Sequence, residues 1–238
     1  MPVMIEIMGE PAVGKTHLAL TFPKPFIFDT TPKKEAEIIA YKVLGADAKN
    51  RYMWIQNWIQ LVNGVKSTVK REDVKTVVID TGADLQSLAV EYELQVKERK
   101  SLMPYEYGRI REVIDTDITE EIITAGKNLV LTAQMDDEYI DGNKTGFRIP
   151  KGYKRAAFQS DIRILLVIGG CSIDIMPGGL SFRVRPKPET KNIRKAVIVK
   201  NRFVDMAETG IVVLEGNITA QDIKKLIPQN LVDMVWVE

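Results

Sequence analysis

Short apolar runs that stop abruptly at a glycine or a carboxylate alternate, through the first half of the chain, with stretches in which apolar residues recur every three or four positions. Val3 to Met8 is the first such run and predicts a buried strand. Lys15 to Phe22 predicts a helix that Pro23 closes. Pro25 to Asp29 predicts a short strand ending in a carboxylate, and Lys33 to Leu44 a helix with Ala36, Ile39, Ala40 and Val43 on one face. A short strand is expected at Tyr52 to Ile55, a helix at Trp58 to Val69 and a strand at Thr76 to Asp80. Helices are expected from Asp84 to Lys100, before an interruption near Pro104, and from Tyr107 to Gly126. Asn128 to Gln134 predicts another buried strand, this one ending in an amide.

Strands dominate the second half of the chain. Met135 to Pro150 predicts a hairpin turning at Asp141-Gly142-Asn143-Lys144. Arg163 to Gly169, Leu180 to Arg185 after a Gly178-Gly179 turn, and Lys195 to Val199 predict three more strands; Thr219 to Ile227 predicts a short helix with Thr219 as N-cap. Continuous apolar strands between helices indicate a sheet covered on both faces. The fold class expected is therefore α/β: a mostly parallel central sheet flanked by helices, with antiparallel strands added from the C-terminal half. Without repeats, low-complexity tracts or a linker, residues 1–238 are expected to form a single domain.

Between the first strand and the first helix lies Gly9-Glu10-Pro11-Ala12-Val13-Gly14-Lys15-Thr16, a G-x-x-x-x-G-K-T loop. Strand, glycine loop and helix together give the motif a mechanism. Gly9 and Gly14 permit backbone angles closed to other residues. The loop's N–H groups can then surround a phosphate, with the helix N-terminus adding partial positive charge. Lys15 would reach the β- and γ-phosphates and Thr16 would hold Mg²⁺. A second carboxylate-ended strand, Thr76-Val77-Val78-Ile79-Asp80, would deliver Asp80 to the same edge of the sheet, opposite Thr16, to hold the metal through water; the alternative reading of Asp80 is a cap for the next helix.

Charge narrows the partners. Lys and Arg total 33 against 32 Asp and Glu, so contact with a polyanion must come from a local patch. Lys144, Arg148, Lys151, Lys154 and Arg155 form one, interleaved with Phe147, Tyr153 and Phe158. Cations track phosphates and aromatic faces stack bases, which suits single-stranded nucleic acid; a solvated hairpin is the alternative. A second basic stretch, Lys97 to Arg111, reads better as charged helix ends. Cys171, the one cysteine, is expected to be a small core residue, and His17, the one histidine, to pack on the loop's helix. No apolar run approaches the ~20 residues that span a membrane, and the N-terminus enters the first strand directly, so a cytoplasmic protein is expected.

At these residues the chain resembles the RecA-like P-loop ATPases, and more narrowly the core-only, phage-encoded members that act as single-strand annealing recombinases. The resemblance rests on Gly9–Thr16, Phe26–Asp29, Val77–Asp80, Leu129–Gln134 with the hairpin after it, and Val199-Lys200-Asn201-Arg202-Phe203. It implies ATP and Mg²⁺ as cofactors, and Gln134 as the residue that senses the γ-phosphate. It also implies single-stranded DNA held by the loop after Gln134, and a homo-oligomer, ring or filament, with ATP between subunits. Lys200 and Arg202 would reach the neighbouring subunit's nucleotide, and a single-strand-binding protein would be a further partner. A phage-encoded member would work in the host cytoplasm. Their i, i+2 spacing in a strand would make Lys200 and Arg202 project together; a pair of surface charges is the alternative.

One departure bears on turnover. The family's catalytic Glu, two residues beyond the Asp that ends the second strand, is here Thr31. Threonine is no general base at neutral pH, so either Asp29 or Glu35 polarises the attacking water, or hydrolysis is slow. Asp29 reads equally as a turn cap. Two rival functions stay open: an ATP-gated DNA-binding accessory protein with little turnover, and a P-loop kinase of a small molecule. Against the kinase, Lys151 to Arg155 is short for a phosphate-covering lid.

Overall fold

The computed structural model describes residues 1–151, 153, 155–175, 182–187, 193–204, 206 and 211–236. Eleven strands among these form one sheet, with the order β11-β10-β7-β1-β5-β4-β2-β3 along its main path. The strands are β1 (Met4–Gly9), β2 (Pro25–Asp29), β3 (Tyr52–Trp54), β4 (Thr76–Asp80), β5 (Asn128–Ile140), β6 (Asn143–Lys151), β7 (Ile162–Ile168), β8 (Gly170–Ile175), β9 (Phe182–Lys187), β10 (Arg194–Asn201) and β11 (Val212–Glu215). The pairs β1–β5, β1–β7, β4–β5, β2–β4 and β2–β3 are parallel. β10 is antiparallel to β7, and β11 to β10. This is the predicted α/β class. One strand, β5, lies between the loop-bearing β1 and the Asp80-bearing β4.

Alternation within the apolar runs distributes side chains to two layers. Ile5, Ile7, Val78, Val130 and Ile164 pack against α1 (Lys15–Ala19), α2 (Glu35–Leu44) and the C-terminal helix Ala220–Lys224. Met4, Val77, Ile79, Leu129 and Leu131 pack against α4 (Trp58–Thr68), α5 (Gly82–Val96) and α6 (Tyr107–Ile114) on the other face; α3 (Ala48–Arg51) leads into β3. Asn57 caps α4 by accepting from the Gln60 N–H, and Thr81 caps α5 by accepting from that of Asp84.

Several boundaries differ from expectation for identifiable reasons. The helix predicted through Gly126 passes through a π-helical turn, Asp115–Glu120, before ending as α7 (Glu121–Thr124). There buried Asp115 accepts hydrogen bonds from Tyr153 Oη and Gln159 Nε2 and pairs with Arg155, so the widened turn aims a carboxylate inward. β5 does not end at Gln134: its parallel part ends there, and the strand runs on into the hairpin with β6. The two-residue turn, Asp141-Gly142, has positive φ at both positions, the geometry Asp-Gly favours. Strands β8 and β11 and the C-terminal helix Gln229–Val235 are unforeseen. The Gly178-Gly179 turn, Leu180 and Lys154 lie outside the described residues.

Candidate nucleotide site

β1 delivers the glycine loop to the carboxyl edge of the parallel strands. A methyl group at Gly9 would come within 2.6 Å of the Leu166 carbonyl oxygen, so only glycine lets the loop leave the strand there. Gly14, at φ 99°, sets the start of α1. The N–H groups of Gly14, Lys15 and Thr16 have no hydrogen-bond partner among the described residues. Orphan donors converging at a helix start suit a phosphate anion. Lys15 Nζ bridges the loop, donating to the carbonyls of Gly9 at 2.9 Å and Glu10 at 2.7 Å. Burial pulls the Lys15 pKa below its ordinary value, against the carboxylates of Asp80, Glu10 and Glu35, which raise it. Pro11 and Ala12 are exposed at the loop's crest, while Val13 is buried beneath it.

Thr16 and Asp80 meet directly: Thr16 Oγ1 donates to Asp80 Oδ2 at 2.7 Å. The other oxygen, Oδ1, accepts from Thr132 Oγ1 of the intervening strand. Burial raises the Asp80 pKa, and the two hydroxyls and Lys15 work in the opposite direction. A hydroxyl and a carboxylate at this separation fit Mg²⁺, with water and phosphate oxygens completing the shell. Thr132 went unnoticed in the sequence, where its one signal is a hydroxyl within Leu-Val-Leu-Thr-Ala-Gln. Gln134 stands level with Gly9 across the β1–β5 pair. Its side-chain amide makes no hydrogen bond among the described residues.

Asp29 requires a correction. Its buried carboxylate accepts four hydrogen bonds, from the N–H and hydroxyl of Thr31, the N–H of Ala36 and the hydroxyl of Tyr52. Burial and Asp29 together push the Tyr52 phenol up. A carboxylate so saturated is a turn cap, not a base for water. Thr31, in the position of the family's base, is buried in the same knot: its hydroxyl donates to Asp29 at 2.6 Å and accepts from the Glu35 N–H at 3.0 Å. Glu35 itself is exposed at the start of α2, within electrostatic reach of Lys15.

The hairpin also departs from expectation. Its described cations face carboxylates that a count of cations alone overlooks. Lys144 pairs with Asp137 at 2.6 Å and Lys151 with Asp136 at 3.5 Å, while Arg155 pairs with Asp115 outside the hairpin. Arg148 reaches Glu10 of the glycine loop. Tyr153 is buried on Asp115 and offers no face to a base, whereas Phe158 is exposed. The guanidinium groups of Arg183 and Arg185 each lie over the Phe147 ring, 4.3 and 4.1 Å from its centre. On β9, Arg183, Arg185 and Lys187 recur at every second position, and of these Arg183 pairs with Asp174 at 3.3 Å and Glu138 at 3.7 Å. In the second basic stretch, Lys97 and Arg99 bind Glu106 and Arg109 binds Glu93, as charged helix ends do.

Lys200 and Arg202 do project together. Lys200 Nζ donates to the carbonyls of Ala157 and Phe158, Arg202 Nη2 donates to that of Phe158, and Arg202 pairs with Asp161 at 2.9 Å. They are nowhere near their own chain's glycine loop. β10 runs opposite to β7, so Lys200 is level with Glu6 and Arg202 lies beyond, at the start of β1. The residue that β10 brings to the glycine loop is Arg194, unnoticed in the sequence: its guanidinium rests against Gly14.

A phosphate cradle at the carboxyl edge of a parallel sheet, with a hydroxyl–carboxylate pair beneath it, defines a P-loop nucleotide-binding domain. The chain belongs to the AAA domain family, whose model matches residues 1–163. No curated protein matches. Among solved structures the chain is similar to the RadB recombinase, at 17% identity over 92% of this chain and 89% of that one, with a TM-score of 0.47. Among the described residues, no helix is long and apolar enough to cross a membrane.

Proposed function

We propose that this protein is a RecA-like ATPase that binds ATP with Mg²⁺ and acts on single-stranded DNA in recombination or annealing. The contact between Thr16 and Asp80 beneath the loop carries the reading, because it brings the hydroxyl that would bind Mg²⁺ together with the carboxylate that would hold it through water, at the mouth of a phosphate cradle. Lys15 would supply the charge that meets the β- and γ-phosphates, and Gln134, level with Gly9, would contact the γ-phosphate. Glu35 is the remaining carboxylate for orienting water. Arg185 and Lys187, exposed on β9, would offer cations for DNA phosphates. Lys200, level with Glu6, and Arg202, near the start of β1, lie three and about five rises of ~3.3 Å (roughly 10 and 16 Å) along the strand from Gly9 and would serve the neighbouring subunit's nucleotide in an oligomer.

The deciding experiment is ATP turnover with and without single-stranded DNA. Stimulation supports the reading; turnover indifferent to DNA, with no DNA binding in the presence of ATP, defeats its DNA arm. A second reading, an ATP-gated accessory protein with little turnover, is favoured by the saturation of Asp29 and the inward turn of Thr31. It predicts ATP-dependent DNA binding at a turnover that DNA leaves unchanged.

A further inference from the structure

Arg194 opens β10 opposite Ile168, at the carboxyl edge of the parallel strands. Its backbone is fixed from the neighbouring turns: the Arg194 carbonyl accepts from the Gly216 N–H at 2.9 Å, and the Ile193 carbonyl accepts from that of Gly169 at 3.1 Å. The side chain crosses to the glycine loop. A methyl group placed on Gly14 would come within 2.9 Å of the guanidinium carbon and 3.0 and 3.1 Å of its two terminal nitrogens. Gly14 therefore does two things. It takes the left-handed backbone angle that starts α1, and it leaves the space that the guanidinium fills.

The guanidinium makes no hydrogen bond or ion pair among the described residues, although it has five donors in a fixed fork. It is packed against the start of α1, beside Lys15, where the orphan N–H groups already make the surroundings positive. Glu10, the loop's own acid, is engaged by Arg148. Among the described residues, this second cation held against a positive loop has no counter-charge, and an arriving anion would supply one. The Gly14 N–H belongs to the part of the loop that cradles the α- and β-phosphates, whereas Lys15 addresses the β- and γ-phosphates.

We propose that Arg194 is a second phosphate-binding cation of this site, contacting the α/β part of the nucleotide's phosphate chain from within the same subunit. The inference rests on the nucleotide reading of the loop and adds a residue outside the loop motif. It also predicts which ligands feel the contact: diphosphates as much as triphosphates, and a bare polyphosphate as much as a nucleotide.

The test is binding by calorimetry, with magnesium, of ATP, ADP and inorganic tripolyphosphate to wild type, Arg194→Ala, Arg194→Lys and Lys15→Ala. Thermal unfolding with and without each ligand gives a second readout. Arg194→Ala should lose about ten- to a hundred-fold in affinity for all three ligands, the range of a charge-assisted hydrogen bond. Arg194→Lys should recover part of the loss. The unliganded melting temperature should hold, because no described group depends on the guanidinium for a hydrogen bond. Unchanged binding in Arg194→Ala beside weakened binding in Lys15→Ala overturns the inference and leaves the P-loop reading standing. A loss for the nucleotides with tripolyphosphate unaffected also overturns it, since the contact is then to the nucleoside. Unchanged binding in both alanine variants removes the P-loop reading itself.

Discussion

Arg148, in the middle of the β5–β6 hairpin, forms an ion pair with Glu10, the second residue of the glycine loop. The two are 138 positions apart, and the pair ties the surface expected to meet DNA to the loop expected to meet phosphate. Both side chains keep over a third of their surface in water, so the pair adds little to stability, on the order of 0–1 kcal/mol. Its consequence is positional. Arg148→Ala should change ATP affinity, by freeing Glu10 beside Lys15, and leave single-strand affinity within about twofold. Titrating both ligands on the variant checks this. A large fall in DNA affinity with ATP affinity unchanged would return Arg148 to the role of a phosphate-tracking cation.

Asp80 sets stability against function. Burial raises its pKa in the folded protein above the unfolded value, so the folded state binds its proton more readily. Stability from this group therefore falls as pH rises through the window between the two values. At neutral pH the ion is a cost that the metal site requires. Asp80→Asn keeps an acceptor for Thr16 or Thr132 and removes the buried charge. The apoprotein should melt at a higher temperature at pH 7, while Mg²⁺-dependent ATP turnover should drop at least about tenfold. Calorimetric melting and a magnesium titration of turnover measure the two halves; a lower melting temperature would show that the carboxylate's hydrogen bonds outweigh its desolvation.

The parallel core was legible because its strands are buried on both faces, so Val3–Met8, Thr76–Asp80 and Asn128–Gln134 appear as apolar runs, interrupted at Glu6 and Thr132 and stopped by functional polar residues. The glycine loop was legible because its mechanism demands residue types at fixed spacing. What hid was pairing across distance. Asp136 and Asp137 neutralise the hairpin only because β6 folds back beside β5. Arg194 meets Gly14, and Lys200 does not, only because β10 runs antiparallel to β7. A strand's direction leaves no trace in its own sequence, and Arg194 and Lys195 at one end are matched by Lys200 and Arg202 at the other.

Asp29 and Glu35 separate a structural acid from a candidate catalytic one. Asp29→Ala strands the N–H of Ala36 and the N–H and hydroxyl of Thr31 in a buried site, each at roughly 1–3 kcal/mol. A loss of about 3 kcal/mol or more is expected, seen as a clear drop in the denaturant midpoint. Glu35→Ala, at an exposed position, should stay within about 0.5 kcal/mol of wild type. If Glu35 orients the attacking water, that variant binds ATP normally and turns it over at least about a hundredfold more slowly. Normal turnover in Glu35→Ala would remove the last described carboxylate proposed as the base, and would favour a water held by Gln134.

Glu106 gives the fold an acid-sensitive joint. Its carboxylate accepts from Lys97 Nζ at 2.7 Å, Arg99 Nη1 at 2.9 Å and the Met103 N–H at 2.6 Å, fastening the segment between α5 and α6. The hydrogen bond from Lys97, then that from Met103, hold its pKa down at about 2. A carboxylate with a lowered folded-state pKa contributes stability above its unfolded value, near 4.5, and loses it as pH falls towards 2. Asp222, also held at about 2 by Lys225 and by the N–H and hydroxyl of Thr219, adds to the same window. Wild type should therefore melt at a higher temperature than Glu106→Gln at pH 7, with the gap narrowing between pH 4.5 and pH 2. Melting curves of both proteins at pH 7, 4 and 2.5 measure that gap. A gap of constant size down to pH 2.5 would mean that the glutamine fails by shape and not by charge, and that the carboxylate's ionisation contributes nothing to the joint.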